Sequence, residues 1–482
     1  MKLVDLIQTS LKKSILSQRE LEATSIEKAG ENLTPNMRAL RLTMGVATQL
    51  LSMGASASSV AHNALGITRT YCTRPVHVDV SYTIITISQD RGTEREPLTL
   101  VRSAVMREAN YQTIQRLQRL AKYIRTKHLT LAEAEKEYDH ILATQKDHPN
   151  WVRYVSSGGI AAGISILYSG SAPIIALTFV IGMLISWGTN RLYKYGMSAF
   201  FVQALAALFA TLMATGLTWA MNSGYIDFLP YINPTLIIIS GIVLLVAGMM
   251  IVSALQDAID EYYLTASARL LKVVMLTGGI VMGVAAGLYV AQRLDISFAT
   301  TPDRLALSTT SYQYIGAALV AAMFALSNHA RIVAALLAAG IGAFGYYCSL
   351  LGVAAGLGII PSYGLAAAVI GFAATILSRV WQIPSMAIVS AGIIPLVPGL
   401  SLYNGLMHVI QNPTWTLQFD EGVSMLMRAL MIAVTIAAGA TFGAMIGRPM
   451  RRKALQIHNQ LPFRKLSRKR PKPSETTPVI EP

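Results

Sequence analysis

From residue 154 onward the chain carries apolar runs long enough to cross a hydrocarbon core, which takes about 20 residues per helix. Ten such runs are predicted, near 154–171, 173–188, 198–221, 234–255, 271–291, 312–328, 331–348, 362–378, 384–410 and 422–446. The stretch SLLGVAAGLGIIPSYG (349–364) is also open to a reading as a re-entrant piece.

Before residue 150 the pattern is that of a soluble module. NMRALRLTMGVATQLLSMG (36–54) has helical apolar spacing and stops at Gly54, and SSVAHNALG offers a second helix. HVDVSYTIITIS (77–88) alternates as a strand does, and EPLTLVRSAV is a strand or a connection. IQRLQRLAKYI and LTLAEAEKEYDHIL follow as amphipathic helices. The expectation is an α+β domain over 36–150, behind an amphipathic helix and linker at 1–35.

The membrane part repeats itself. SGIVLLVAGMMIVSALQDAI (240–259) lies over AGIIPLVPGLSLYNGLMHVI (391–410) without a gap, with Gly241 over Gly392, Val246 over Val397 and Gly248 over Gly399. A proline precedes each copy, Pro234 or Pro384, and the helix that follows has an arginine near its start, Arg269 or Arg428. Two halves of five helices, 151–300 and 301–447, follow from this register. Five is odd, so the second half enters the membrane from the opposite face, an arrangement common among secondary transporters. The expected fold class is an α-helical polytopic membrane protein with ten transmembrane helices in two inverted five-helix repeats, preceded by a small cytoplasmic α+β domain.

One copy interrupts its own helix. In GIIPLVPGLSLYNGLM (392–407), Pro395 and Pro398 each remove a backbone donor and clash with the preceding turn. The carbonyls they free are tolerated in lipid only where protein or a water-filled cavity satisfies them, and Gly399 lets another backbone or a ligand approach. Half-helix ends offer partial charges to a carboxylate and an ammonium. Pro395, Pro398, Gly399, Tyr403 and Asn404, with Gln256, Gly241 and Gly248 from the other copy, are the candidate substrate path. A kink that serves packing alone is the plainer alternative.

Asp257 ends the fourth run, where a partly desolvated carboxylate gains affinity for protons. With Arg269 and Arg428 it forms the candidate proton-coupling set. The alternatives are a solvated surface acid and, for Arg428, six residues into the last run, a side chain that snorkels to the interface. The glycine-rich TGGIVMGVAAG (277–287) suits close helix packing.

Composition agrees with a membrane protein: 53% of residues are hydrophobic and 13% charged, against about 25% charged in soluble domains. Mean hydropathy is +0.47. Residues 151–447 carry 10 Lys/Arg and 8 Asp/Glu, whereas the tail from Arg448 carries 10 against 2, so the net charge of +15 belongs mainly to the flanks. The basic tail, 448–482, suits anionic lipid at the cytoplasmic face better than nucleic acid. Connections predicted inside hold Arg191, Lys194, Arg269, Lys272, Arg331 and Arg379, and those outside only Arg293 and Arg304, which puts both termini in the cytoplasm. The N-terminus lacks the apolar run and cleavage site of a signal peptide.

Cys72 and Cys348 make neither a disulfide framework nor a metal site, and no cofactor is expected. Ser56, Ser58, Ser59 and His62 suggest a hydrolase, but helix capping explains the serines without a nucleophile elbow. His77 and Asp79 share one strand face as a local polar contact. No phosphate-binding loop supports an ATP-driven pump.

GASASSVAHNALG followed by HVDVSYTIITIS, then SGIVLLVAGMMIVSALQDAI with TASARLLKVVMLTGGIVMG, and finally GIIPLVPGLSLYNGLM together resemble the threonine/serine exporter family (ThrE type) of bacterial membrane proteins, over about residues 36–447. LQDAI and PLVPGLSLYNG are the specific parts. The resemblance implies a cytoplasmic N-terminal domain, ten membrane helices, and proton-driven export of threonine and serine across the inner membrane by a protein that is not an enzyme. Two other classes stay open on the residues alone: a membrane-anchored hydrolase with catalysis in the N-terminal domain, and a membrane sensor.

Overall fold

The computed structural model of the chain describes residues 34–93, 95–127, 129–145, 147–223, 235–245, 248–296, 308–381, 385–397, 401, 404–405, 408–409 and 417–460.

Helix α1 (Pro35–Ser52) starts where Thr34 accepts a hydrogen bond from the Met37 amide and proline occupies the first turn. It stops at Gly54, whose φ of +84° reverses the chain. Ser56 then accepts from the Ser59 amide and caps α2 (Ala57–Tyr71). Three antiparallel strands follow in the order β1 (Val76–Ser81), β2 (Ile84–Gln89) and β3 (Leu98–Ser103). Helices α3 (Tyr111–Lys127) and α4 (Leu131–Ala143) close the segment, the latter with a reciprocal cap between Thr130 and Glu133. Ile85 and Ile87, on one face of β2, are fully buried in a core shared with Leu40, Leu50, Ile114 and Leu117.

The alternating run 77–88, expected as one strand, is two. Ser81 pairs with Ile84 across a two-residue turn, and Tyr82 takes a φ of +57°. Glycine or asparagine usually marks such a turn. Here the Tyr82 amide is instead held by the Thr265 hydroxyl at 2.9 Å, from a residue 183 positions away.

The rest is helical: α5 (Asn150–Leu167), α6 (Ala172–Lys194), α7 (Ala199–Asn222), α8 (Thr235–Leu245), α9 (Gly248–Ile259), α10 (Tyr263–Arg293), α11 (Thr310–Ser327), α12 (Ile332–Ala354), α13 (Ile359–Trp381), α14 (Ser385–Ile393) and α15 (Leu417–Gln460). Among the described residues six helices are long and apolar enough to cross a membrane: α6, α7, α10, α12, Ile359–Ser378 of α13 and Asp420–Gly447 of α15. Residues 349–364, open from sequence to a re-entrant reading, join two helices. They end α12, turn through Gly356 and Gly358, both at positive φ, and begin α13. Helix α15 runs past Gly447 to Gln460, so the start of the expected tail is helical.

Two sets of helices pack alike. Helices α5 and α11 are both 18 residues long, α6 and α12 both 23, and the starts Asn150 and Thr310, Ala172 and Ile332, Ala199 and Ile359 are each 160 positions apart. Helix α8 packs on α5, α6 and α7, as α14 packs on α11, α12 and α13; α7 packs along α10 as α13 does along α15. Between α7 and α8 lie 12 residues and between α13 and α14 only 3, which brings the offset down to the 151 at which Gly241 stands over Gly392. At that offset Asp257 stands over His408, so the carboxylate has no acidic counterpart.

The first helices of the two sets cross antiparallel. Gly159 meets Met323, Gly163 meets Val320 and Gly316, and Leu167 meets Gly316. A Cβ at Gly316 would lie 2.8 Å from the Gly163 carbonyl, so this crossing requires glycine. In the α7–α10 and α13–α15 pairs, a Cβ on Gly283 would overlap the Ala204 carbonyl and one on Gly443 the Ala368 carbonyl.

Candidate functional site

Asp257 is fully buried on the last turn of α9. Its Oδ1 accepts from the Ala57 amide at 3.1 Å, the first residue of α2, where unpaired amides and the helix dipole favour negative charge. Oδ2 lies 2.7 Å from Arg269 Nη1, an ion pair without hydrogen-bond alignment. Arg269 Nη2 donates to the Ala55 carbonyl at 3.1 Å. One turn earlier on α10, buried Thr265 donates to the Val80 carbonyl at 3.1 Å and accepts from Tyr82. Of the three residues proposed from sequence as a coupling set, Asp257 and Arg269 meet, and their further partners are backbone of the N-terminal segment.

That segment also grips the second set of helices. The Tyr111 amide donates to the Asn328 carbonyl at 3.1 Å, and the Tyr111 hydroxyl, pushed up to about 12 by burial, bonds Ser390 on α14. The His148 amide donates to His329 Nδ1 at 2.8 Å, and His148 Nε2 lies 3.1 Å from the Ala330 carbonyl. His329, between α11 and α12, is held below the usual histidine range, first by burial.

The second feature is a cavity of about 420 Å3 that both aligned segments, 240–259 and 391–410, help to line. Leu245, where α8 ends, and Met250, in the first turn of α9, line it from one side. Ile394 and Val397 line it from the other, at the ends of the 3-10 turn Ile394–Leu396 that contains Pro395. Its polar lining comes from Ser157 on α5, Ser186, Thr189 and Asn190 on α6, Gln203 on α7, and Ser327 and Asn328 from α11. Glu108, just before α3, and Arg153 on α5 pair at this cavity. Sequence reasoning missed this set. The available signal was a polar side chain inside an apolar run, as Gln203 in AFFVQALAALFA.

The other sequence candidates are dispersed. Gly241 packs against Ala210, where a Cβ would come within 2.9 Å of the alanine methyl. Gly248 opens α9, and Gln256 is half-buried beside Asp257. Asn404 is half-buried, its Oδ1 shielded and without a hydrogen-bond partner among the described residues. Arg428 is exposed on α15, eleven residues past Leu417 rather than six into the helix. Pro398, Gly399 and Tyr403 lie outside the described residues. In the N-terminal segment Ser56 serves as a helix cap and His62 Nε2 lies 3.0 Å from Arg125. His77 and Asp79 are exposed on one face of β1, and the Ser81 hydroxyl donates to Asp79.

Two family models match the chain, "Putative threonine/serine exporter" over residues 41–291 and "Threonine/Serine exporter, ThrE" over 313–446. The chain belongs to the threonine/serine exporter family. Among similar members, the "Probable threonine/serine exporter" of Mycobacterium tuberculosis (strain ATCC 25618 / H37Rv) is 28% identical over 429 residues, covering 87% of this chain and 78% of the relative. The "Threonine/serine exporter" of Corynebacterium glutamicum is 29% identical over 419 residues, covering 86% and 83%. No solved structure matches the chain. The matched stretches include the Asp257–Arg269 pair and the residues that line the cavity.

Proposed function

We propose that this member of the family exports threonine and serine from the cytoplasm, coupled to the proton gradient, as a multi-pass protein of a bacterial inner membrane with both termini inside. In this reading ten membrane helices form two inverted five-helix units, α5–α10 and α11–α15, with α8 and α9 counted as one membrane span, and an N-terminal α+β domain covers the cytoplasmic face. Substrate reaches the cavity that the two aligned segments line and leaves by alternating access.

The observation that carries the reading is the cavity that both aligned segments line, Leu245 and Met250 on one side, and on the other Ile394 and Val397, which flank the 3-10 turn at Pro395. Secondary transporters bind substrate at the repeat interface, where helices are discontinuous, and the volume lies within the range of small-molecule sites. Inversion is supported by the matched lengths and spacings of the two helix sets and by the antiparallel α5–α11 crossing. Sidedness is supported by the N-terminal segment's partners: Asp257, Asn328, His329 and Ser390 all lie at or near connections whose charge predicts the cytoplasm. Asp257, Arg269 and Arg428 stay the proposed coupling set, and Pro395, Pro398, Gly399, Tyr403 and Asn404, with Gln256, Gly241 and Gly248, stay in the proposed path. Anionic headgroups meet the basic residues beyond Gly447.

Counterflow of labelled threonine and serine in proteoliposomes, with and without an imposed pH gradient, tests this. Exchange that responds to the gradient is expected. Exchange indifferent to it removes proton coupling, and no exchange removes the exporter reading.

A further inference from the structure

We infer that Gln203 selects a hydroxyl-bearing substrate by presenting its carboxamide oxygen as the acceptor for that hydroxyl, an inference that rests on the exporter reading of the cavity. Gln203 lies in the first turns of α7 and lines the cavity described above. Its Oε1 is shielded from solvent and has no hydrogen-bond partner among the described residues. A buried amide left unsatisfied is costly in an apolar setting. Polar side chains within membrane helices mark substrate pathways more often than they serve packing.

Four other polar side chains around the cavity have their donors engaged within the protein. Thr189 Oγ1 donates to the Ser186 carbonyl at 3.1 Å, Ser327 Oγ to the Phe324 carbonyl at 2.9 Å, and Asn190 Nδ2 to the Tyr154 hydroxyl at 2.8 Å. Asn328 Nδ2 donates to the Phe324 carbonyl at 2.8 Å. The unmet need at this site is for a donor, and the ligand must bring it. Threonine and serine carry a hydroxyl there; 2-aminobutyrate and valine, of similar size, carry none and leave Oε1 unpaired. A site built to bond a hydroxyl rejects the analogue lacking it for this reason. The α-ammonium is also a donor, but all four amino acids share it, so comparing side chains separates the two roles.

The test uses the full-length protein in proteoliposomes, with threonine counterflow competed by serine, 2-aminobutyrate and valine. In Gln203→Leu, which keeps the bulk and removes the acceptor, the preference for threonine over 2-aminobutyrate falls by on the order of tenfold, the range expected for a buried acceptor that no longer discriminates, while 2-aminobutyrate still moves. Gln203→Glu, which keeps an acceptor oxygen, retains the preference. Should Gln203→Leu fail to insert, Gln203→Met carries the same expectation. An unchanged preference in the apolar variant overturns the inference, as does an equal loss for all four amino acids, which assigns Gln203 to the ammonium. Wild-type protein without threonine counterflow overturns the exporter reading together with this inference, whereas active wild type with an indifferent Gln203→Leu overturns this inference alone.

Discussion

Asp257 and Arg269, on consecutive helices, pair at 2.7 Å and also reach the same corner of backbone, Asp257 the Ala57 amide and Arg269 the Ala55 carbonyl. The corner between α1 and α2 therefore sits on a buried ion pair whose remaining hydrogen-bonding capacity it helps to fill. A buried pair recovers its desolvation cost only with such added bonds. The pair thus ties the N-terminal segment to the turn between α9 and α10, and movement of that turn is felt by both.

Removing one partner leaves a buried charge uncompensated. Asp257→Ala should lower stability by about 3–5 kcal/mol, read as a lower melting temperature in detergent and faster proteolysis of residues 34–145. Asp257→Ala combined with Arg269→Met should recover part of that loss; a double variant as unstable as the single one denies the pair its structural role. Asp257→Asn keeps an oxygen for the Ala57 amide, so a folded Asp257→Asn protein without efflux isolates the coupling role.

Glu108 and Arg153 pair at the cavity with side-chain exposures of 62% and 17%, and ion pairs that open to solvent contribute only about 0–1 kcal/mol. Glu108→Gln should leave the melting temperature nearly unchanged yet open the approach to the cavity. In a background with Cys72 and Cys348 replaced by serine, Ser157→Cys should react faster with an impermeant thiol reagent in inside-out vesicles when Glu108→Gln is present. Equal labelling rates would mean that the pair does not guard this path.

Gly163 and Gly316 let α5 and α11 touch backbone to backbone. Gly316→Val should force the proposed units apart, cost about 1–3 kcal/mol as overpacking does, and slow counterflow. Gly340, with open space where a Cβ would go, is the control: Gly340→Ala should be neutral in both assays. Equal effects at the two positions would place the dependence on helix propensity instead of on the crossing.

Much of this architecture could be read from local pattern, because apolar length, a glycine stop at Gly54 and capping serines act within a few residues of where they appear. The likeness of 240–259 to 391–410 was legible for the same reason: glycines and apolar residues line up at a fixed spacing. What escaped is held by distant partners. Tyr82 turns without a turn residue because Thr265 holds its amide. The cavity draws Ser157, Asn190, Gln203 and Ser327 from four helices, and no short stretch of chain contains them together. Asp257 and Arg269 were visible as charges, but the corner at Ala55–Ala57 that completes their bonding lies two hundred residues earlier.

His329 makes the docking of the second helix set depend on pH. Its Nδ1 accepts from the His148 amide, so the bond needs the unprotonated nitrogen, and the left-handed φ of +57° fixes the ring's approach. Burial lowers its proton affinity, as do His148 and Arg153, while Asp147 and Glu108 act the other way; the net direction is down. A histidine with a lowered folded-state value contributes stability that is complete above its unfolded value, about 6.5, and is lost as pH falls toward the folded one. The melting temperature should therefore decline more steeply below that pH in wild type than in His329→Asn, since asparagine tolerates the backbone conformation and offers an oxygen acceptor that does not titrate. Parallel profiles for the two proteins would assign the acid sensitivity to the carboxylates instead.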